Sequence, residues 1–331
     1  MAQNEIKKTI KALFANGKGL LAADESTPTI TKRFAKAGLK STNKTRRAYR
    51  NIFITAKGME KYISGIILFD ETIRQKADNG TGFVKILKQK GVVPGIKVDM
   101  GAEEISGFPA ELATSGLDGL EKRIREYKKL GARFAKWRAV YSISKQTPSK
   151  KALAENSKRM AKYAKICQKH GILPIVEPEV IMDGTHNIMA GKTATIKALC
   201  ALVGALGKER VQLDKVVFKC NMVLPGSGSK SKASASKVAT ETVSALKYSL
   251  PKNIGGVVFL SGGQSPAQAI NNLKAISNQC KKYKCQWPIT FSFARALQNE
   301  PLNIFAKKQN NIQKAQKAFI KRAKMCSRAI K

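Results

Sequence analysis

"LPIVEPE", residues 173–179, is a short apolar run that closes on two carboxylates two positions apart, and its flanks decide how it folds. Before it, "SKRMAKYAKICQKHG" (157–171) repeats apolar residues every three or four positions and then meets a glycine, which reads as an amphipathic helix with a glycine just past its end. The run itself is too short for a helix and has Ile175 and Val176 at its centre, so it reads as a buried strand. Side chains alternate along a strand, so Glu177 and Glu179 share one face.

Seven other runs repeat this form: "GLLAAD" ending at Asp24, "GIILFD" at Asp70, "GIKVD" at Asp99, "RFAKWR" at Arg138, "KVVFKC" at Cys220, "GVVFLSGG" at Gly263 and "PITFSFAR" at Arg295. Successive ends lie 29 to 46 residues apart, and each gap holds a helical pattern such as "SALKYSL" (244–250). Eight strands alternating with helices predict one (β/α)8 TIM barrel, an α/β fold filling a single domain over residues 1–331. An N-terminal helix (Ile6, Ile10, Leu13, Phe14) opens it, and a basic C-terminal helix closes it with Ile312, Ala315, Phe319, Ala323, Cys326 and Ile330 on one side. The segment "PGSGSKSKASASK" (225–237) has a linker's composition but directly follows the sixth strand, so it reads as a loop at the barrel mouth.

Composition narrows the function. The longest apolar run, "ALCALVGALG" (198–207), falls short of a membrane span, so a soluble, cytoplasmic protein with no membrane partner is expected. Six cysteines lie mostly inside apolar segments and not at disulfide-framework spacings, which predicts reduced thiols. Two histidines and no HxxxH or CxxC spacing argue against a histidine-based metal enzyme. The net charge of +39 invites a nucleic-acid reading, but 47 lysines against 14 arginines are spread along the whole chain. A solvated lysine surface with weak, non-specific polyanion binding is the expectation.

Barrel chemistry sits at the C-terminal strand ends. There the sequence places Asp24, Lys97 with Asp99, Lys136 with Arg138, Glu177 with Glu179, Lys219, Ser261 and Arg295. Lys219 is the oddest of these, since "KVVFKCNMV" (215–223) contains no acid to offset it. Lys136 is its expected like-charged neighbour, and such a neighbour together with burial disfavours an ammonium.

The motifs "LAADES" (21–26), "GIKVD" (95–99), "FAKWR" (134–138), "PIVEPE" (174–179), "FKCNMV" (218–223) and "FLSGGQS" (259–265), in this order, resemble class I fructose-bisphosphate aldolase. The resemblance implies reversible cleavage of fructose 1,6-bisphosphate through a lysine imine, with no cofactor and no metal. It makes Lys219 the Schiff-base nucleophile, Glu177 the proton shuttle with Glu179 beside it, Asp24 the base for the hydroxyl proton and Lys136 a second lysine that holds Glu177. Lys97 and Arg138 would hold the sugar and its distal phosphate, Ser261, Gly262 and Arg295 the other phosphate, and Arg33 and Ser26 belong to the first mouth loop. The pattern departs at Phe293-Ala294, where similar members carry Tyr-Gly. Other expectations are a sugar-phosphate partner, a homo-oligomer as one assembly state, and, as an alternative substrate, sedoheptulose 1,7-bisphosphate or a sugar monophosphate.

Overall fold

In a computed structural model, which describes residues 2–15 and 17–331, the chain forms a closed parallel barrel. Met1, where the expected single domain begins, lies outside the described residues. The barrel strands are β1 (Gly19–Ala23), β2 (Ile63–Leu68), β3 (Val93–Lys97), β6 (Phe134–Tyr141), β7 (Leu173–Val180), β8 (Val217–Cys220), β9 (Gly256–Phe259) and β10 (Ile289–Phe293). They pair in the order β1-β10-β9-β8-β7-β6-β3-β2, and β1 closes the ring against β10 through Leu20 opposite Ser292. All eight expected strands are present, and the sequence reading missed one element. An antiparallel hairpin of β4 (Ala102–Ile105) and β5 (Phe108–Thr114) lies in the third βα loop, so β3 pairs directly with β6.

Helices between the strands form the outer layer, and their ends explain why the chain turns where it does. At the mouth, Ser149, Asn187, Ser234 and Ser265 each accept a hydrogen bond from a first-turn N–H, stopping the helix from fraying back into the loop. Six helices end in a left-handed residue within a paired 6→1 and 5→2 hydrogen-bonded turn, five of them at the opposite rim. The helix Ile188–Lys208 is, by length and composition, the one helix among the described residues that could cross a membrane, contrary to the reading of 198–207 as too short. Here it lies against the barrel, with Ala194, Ala198, Leu199, Leu202 and Leu206 buried.

The barrel interior has two storeys. Its lower half is filled by Leu20, Ala22, Ile67, Phe134, Leu173, Ile175, Val217 and Val258, and the N-terminal helix Ala2–Leu13 covers it with Ile6 and Leu13. Gly95 leaves room for the Phe134 ring, since a Cβ there would come 2.2 Å from it. The C-terminal helix Ile312–Ile330 packs as expected, with Ala315, Phe319, Ala323 and Cys326 buried and Lys314, Lys317, Lys321 and Lys324 exposed. Phe319 meets Phe53 edge to face at 5.1 Å.

Candidate active site

The upper half of the same barrel is charged. Lys136 Nζ lies 3.0 Å from Asp24 Oδ2 and 2.8 Å from Glu177 Oε2, while Lys219 Nζ lies 2.9 Å from Glu177 Oε1. Each of these four side chains is less than a tenth exposed. Four strands, β1, β6, β7 and β8, therefore deliver one side chain each to a single buried cluster.

This arrangement corrects the expectation for Lys219. Its own strand carries no acid, but the neighbouring strand supplies one, and Glu177 stands between the two lysines with one oxygen toward each. Lys136 is therefore not a bare like charge facing Lys219. Burial works against every charge here, and pairing overcomes it. Against that burial, Lys136 and Lys219 hold the Asp24 carboxyl down at about 2. Glu177 is likewise held below the usual carboxylate range, against burial, by Lys136, Lys219 and Arg138. For Lys136 burial again opposes the charge, and Asp24 and Glu177 push its pKa up. At neutral pH, Asp24 and Glu177 are carboxylates and Lys136 an ammonium.

A second ring of charge surrounds the first. Arg138 Nε is 2.5 Å from Glu179 Oε2, and Lys97 Nζ is 2.6 Å from Asp99 Oδ1. Asp99 Oδ2 also accepts from the Arg138 backbone N–H at 3.2 Å, tying the exits of β3 and β6 together. Lys97, Asp99, Arg138 and Ser26 line an open cavity of about 750 Å3, with Leu112 and Thr114 of the hairpin forming part of its wall. Glu179 thus belongs with Arg138 in this outer ring, one step removed from the Lys219 cluster.

Past β9, the "LSGGQ" turn is built to hold its shape. Gln264 donates from its backbone N–H and its side chain to the Ser261 carbonyl, at 3.2 and 2.9 Å, and Asn272 fixes the same glutamine through a 2.7 Å bond to its Oε1. Gly262 has φ 54°, a left-handed conformation that favours glycine. Arg295, at the start of the helix Arg295–Lys307, donates to the Gly262 carbonyl, so Ser261, Gly262 and Arg295 do converge. Ala294 stands at the N-cap of that helix and is partly exposed.

Arg33 is held elsewhere. Its guanidinium donates to Glu25, to Gln298 Oε1 at 3.0 Å and to Asn299 Oδ1 at 3.2 Å, while the Ser26 hydroxyl sits 3.1 Å from that of Thr29. The sequence reading missed Glu25 and Arg50, which pair at 2.8 Å in the interior. The signal was the adjacent acid in "LAADES", whose partner lies in the helix Asn43–Thr55, the second helix after it. It also missed Asn221, two residues past Lys219. Asn221 accepts from the Val180 N–H at 3.1 Å and donates to Thr195 at 3.1 Å, bracing β7 and β8 beside each other. Among the described residues, no group of three or more His, Cys, Asp or Glu side chains is arranged to hold a metal ion.

Comparison with known proteins accords with this geometry. Residues 5–331 match the family described as glycolytic fructose-bisphosphate aldolase class-I. A protein named probable fructose-bisphosphate aldolase class 1 from Xanthomonas campestris is 44% identical over 98% of this chain and 96% of its own length. The cytosolic fructose-bisphosphate aldolase 4 of Arabidopsis thaliana is 49% identical over 95% of this chain and 79% of its own. A solved structure of Plasmodium falciparum fructose-bisphosphate aldolase, in complex with TRAP and a small-molecule inhibitor, superposes with a TM-score of 0.96 at 41% identity, covering 99% of this chain and 94% of that one. The buried lysine paired to a carboxylate at the mouth of a (β/α)8 barrel is therefore set in a chain that belongs to the class I fructose-bisphosphate aldolase family.

Proposed function

We propose that this aldolase cleaves fructose 1,6-bisphosphate to glycerone phosphate and glyceraldehyde 3-phosphate through a Schiff base on Lys219, without a metal. The observation that carries this reading is the 2.9 Å contact between Lys219 Nζ and the Glu177 carboxylate. Glu177 takes the ammonium proton, freeing the lone pair that attacks the C2 ketone, and the resulting acid returns the proton to the carbinolamine hydroxyl, which leaves as water. The iminium then draws the electrons of the C3–C4 bond as Asp24 accepts the C4 hydroxyl proton. A carboxylate resting near 2 is a weak base, but cleavage turns the cationic iminium into a neutral enamine. One of the cations that depress Asp24 disappears as its proton arrives.

Lys136 keeps Glu177 and Asp24 in register, and Ser261, Gly262 and Arg295 take one phosphate while Lys97 and Arg138 take the other end of the sugar. Arg33 and Ser26 shape the first mouth loop, and Glu179 orients Arg138. The cytosol is the working compartment, as the names of the Arabidopsis relatives state for them. The test is borohydride reduction with fructose 1,6-bisphosphate in excess chelator, followed by mass mapping of the modified lysine. An adduct on Lys219 and full activity in chelator are expected. An adduct on Lys136, or chelator inhibition reversed by zinc, overturns the mechanism.

A further inference from the structure

The left-handed turns that end six outer helices place the third-last helical residue against the second residue beyond the cap. In most of them that pair is apolar and buried, as in Phe34 with Leu39, Leu87 with Val92, and Leu206 with Val211. At the end of the helix Pro266–Lys282, within "CKKYKC" (280–285), the same two places hold cysteines. The Cys285 N–H donates to the Cys280 carbonyl at 2.9 Å, the Lys284 N–H to the Lys281 carbonyl at 3.2 Å, and Lys284 takes φ 48°. That backbone bond draws the two residues together, and their thiols lie close enough to perturb each other's titration. All six cysteines are free thiols in the structure, as the sequence led one to expect. The spacing is that of a helix terminus, unlike the spacings of a secreted disulfide framework.

The pair is asymmetric. Cys280 is 6% exposed and packs into the core, whereas Cys285 is half-buried and open to small solutes. The neighbouring Cys280 thiol and the charge of Lys247 draw the Cys285 thiol down against burial, while Cys285 and burial push that of Cys280 up against Lys247. Lys247 and Lys282 both hold their ammonium groups over the Tyr283 ring, at 5.6 and 5.7 Å, within the same turn. A half-exposed thiol drawn down in a cationic setting beside a second thiol is the arrangement of a peroxide-reactive cysteine and its resolving partner.

We propose that Cys280 and Cys285 form a reversible modification site that closes to an intramolecular disulfide when the oxidant is a hydroperoxide. The Cys285 thiolate attacks the peroxide oxygen, the O–O bond breaks, and Cys285 becomes a sulfenic acid as an alkoxide or hydroxide leaves. Cys280 then loses its proton and attacks the sulfenic sulfur. The S–S bond forms, the S–O bond breaks and water departs, so two thiols give up two electrons to one peroxide. A reducing thiol restores the pair. The turn precedes β10, while Arg295 follows that strand at its other end, so the site lies on the rim opposite the catalytic cluster.

The full chain is titrated with hydrogen peroxide, remaining thiols are alkylated, and peptides are mapped without reduction. Exposed Cys200 serves as the internal competitor. The expected result is a Cys280–Cys285 link forming before Cys200 reacts, reversed by dithiothreitol, with aldol cleavage unchanged. In Cys280→Ser the sulfenic acid on Cys285 persists and is trapped by dimedone, and in Cys285→Ser Cys280 stays reduced. Oxidation of Cys200 while both partners remain alkylatable overturns the proposal. So does direct over-oxidation of Cys285 in the unmutated chain with no link formed.

Discussion

The two storeys of the barrel interior are built from the same strands, on the same face, two residues apart. In β6 the inward side chain is Phe134 below and Lys136 above, and β8 carries Val217 below and Lys219 above. β7 runs from Leu173 and Ile175 to Glu177, and β1 from Leu20 and Ala22 toward Asp24. The lower storey is dry, apolar and covered by the N-terminal helix, while the upper one faces the mouth and offsets its charges in pairs. Burying apolar side chains stabilises the fold outright, whereas a buried ion pair roughly balances desolvation against attraction. The division teaches that stability and reactivity are assigned to different turns of one strand, so each can be altered with limited damage to the other.

The sharpest way to test this division is to alter the upper storey alone. Glu177→Gln keeps the shape and removes the titrating proton carrier, so imine formation should slow by about two to four orders of magnitude. Phosphate binding should persist. Stopped-flow imine formation and substrate titration check this, and an equal loss of binding would show Glu177 to be holding the site together instead.

The complementary change strikes the lower storey. Phe134→Ala opens a cavity beside Gly95 and should lower unfolding free energy by about 3–5 kcal/mol. Below its melting temperature, the variant should still give a borohydride adduct on Lys219. Denaturant titration supplies the first value and mass mapping the second. Loss of the adduct in a folded variant would mean that the two storeys are one unit.

A smaller effect is expected from Asp24→Asn, read as a function of pH. Asp24 titrates at about 2 when folded against a reference of 3.8, so the unfolded chain takes up its proton first as pH falls. The stabilisation is complete above the reference value and disappears as pH drops through the folded one, amounting to about 2 kcal/mol at most. The unmutated protein should lose melting temperature more steeply than the variant between about pH 4 and 2. Parallel slopes would remove Asp24 from the paired cluster.

The strands were legible because each is an apolar run that stops at a polar residue, and that local pattern survives in the fold. The hairpin was not legible. Most side chains of "AEEI" and "FPAELAT" face water, so the two segments leave no buried apolar run to be read, and β4–β5 pairing is set by the turn at Gly107, with φ 80°. Among candidate residues, Lys136, Glu177, Lys219 and Asp24 could be placed at one level by counting along strands. What counting could not give was which charge meets which. Glu177 bridging two lysines depends on how adjacent βα units lean together once the ring has closed, and Glu25 gripping both Arg33 and Arg50 depends on how the two helices between β1 and β2 fold back on the end of β1. The thiol pair escaped notice for a related reason, since a spacing of five residues means nothing until a left-handed turn folds the helix end back.

Ring closure also has a consequence for biosynthesis. The Thr290 hydroxyl donates to the Lys18 carbonyl, 272 residues earlier in the chain. On a ribosome working at about 5–20 residues per second, β1 therefore waits roughly 15–55 seconds for β10 to emerge. Throughout that interval one edge of β1 is unpaired, and the apolar face of the N-terminal helix has no finished floor to cover. Nascent chains arrested before residue 289 should be cut by protease near β1, and chains arrested well past 293 should resist. The first strand made is thus the last to be sealed, and during synthesis it is the segment that most needs a chaperone's protection.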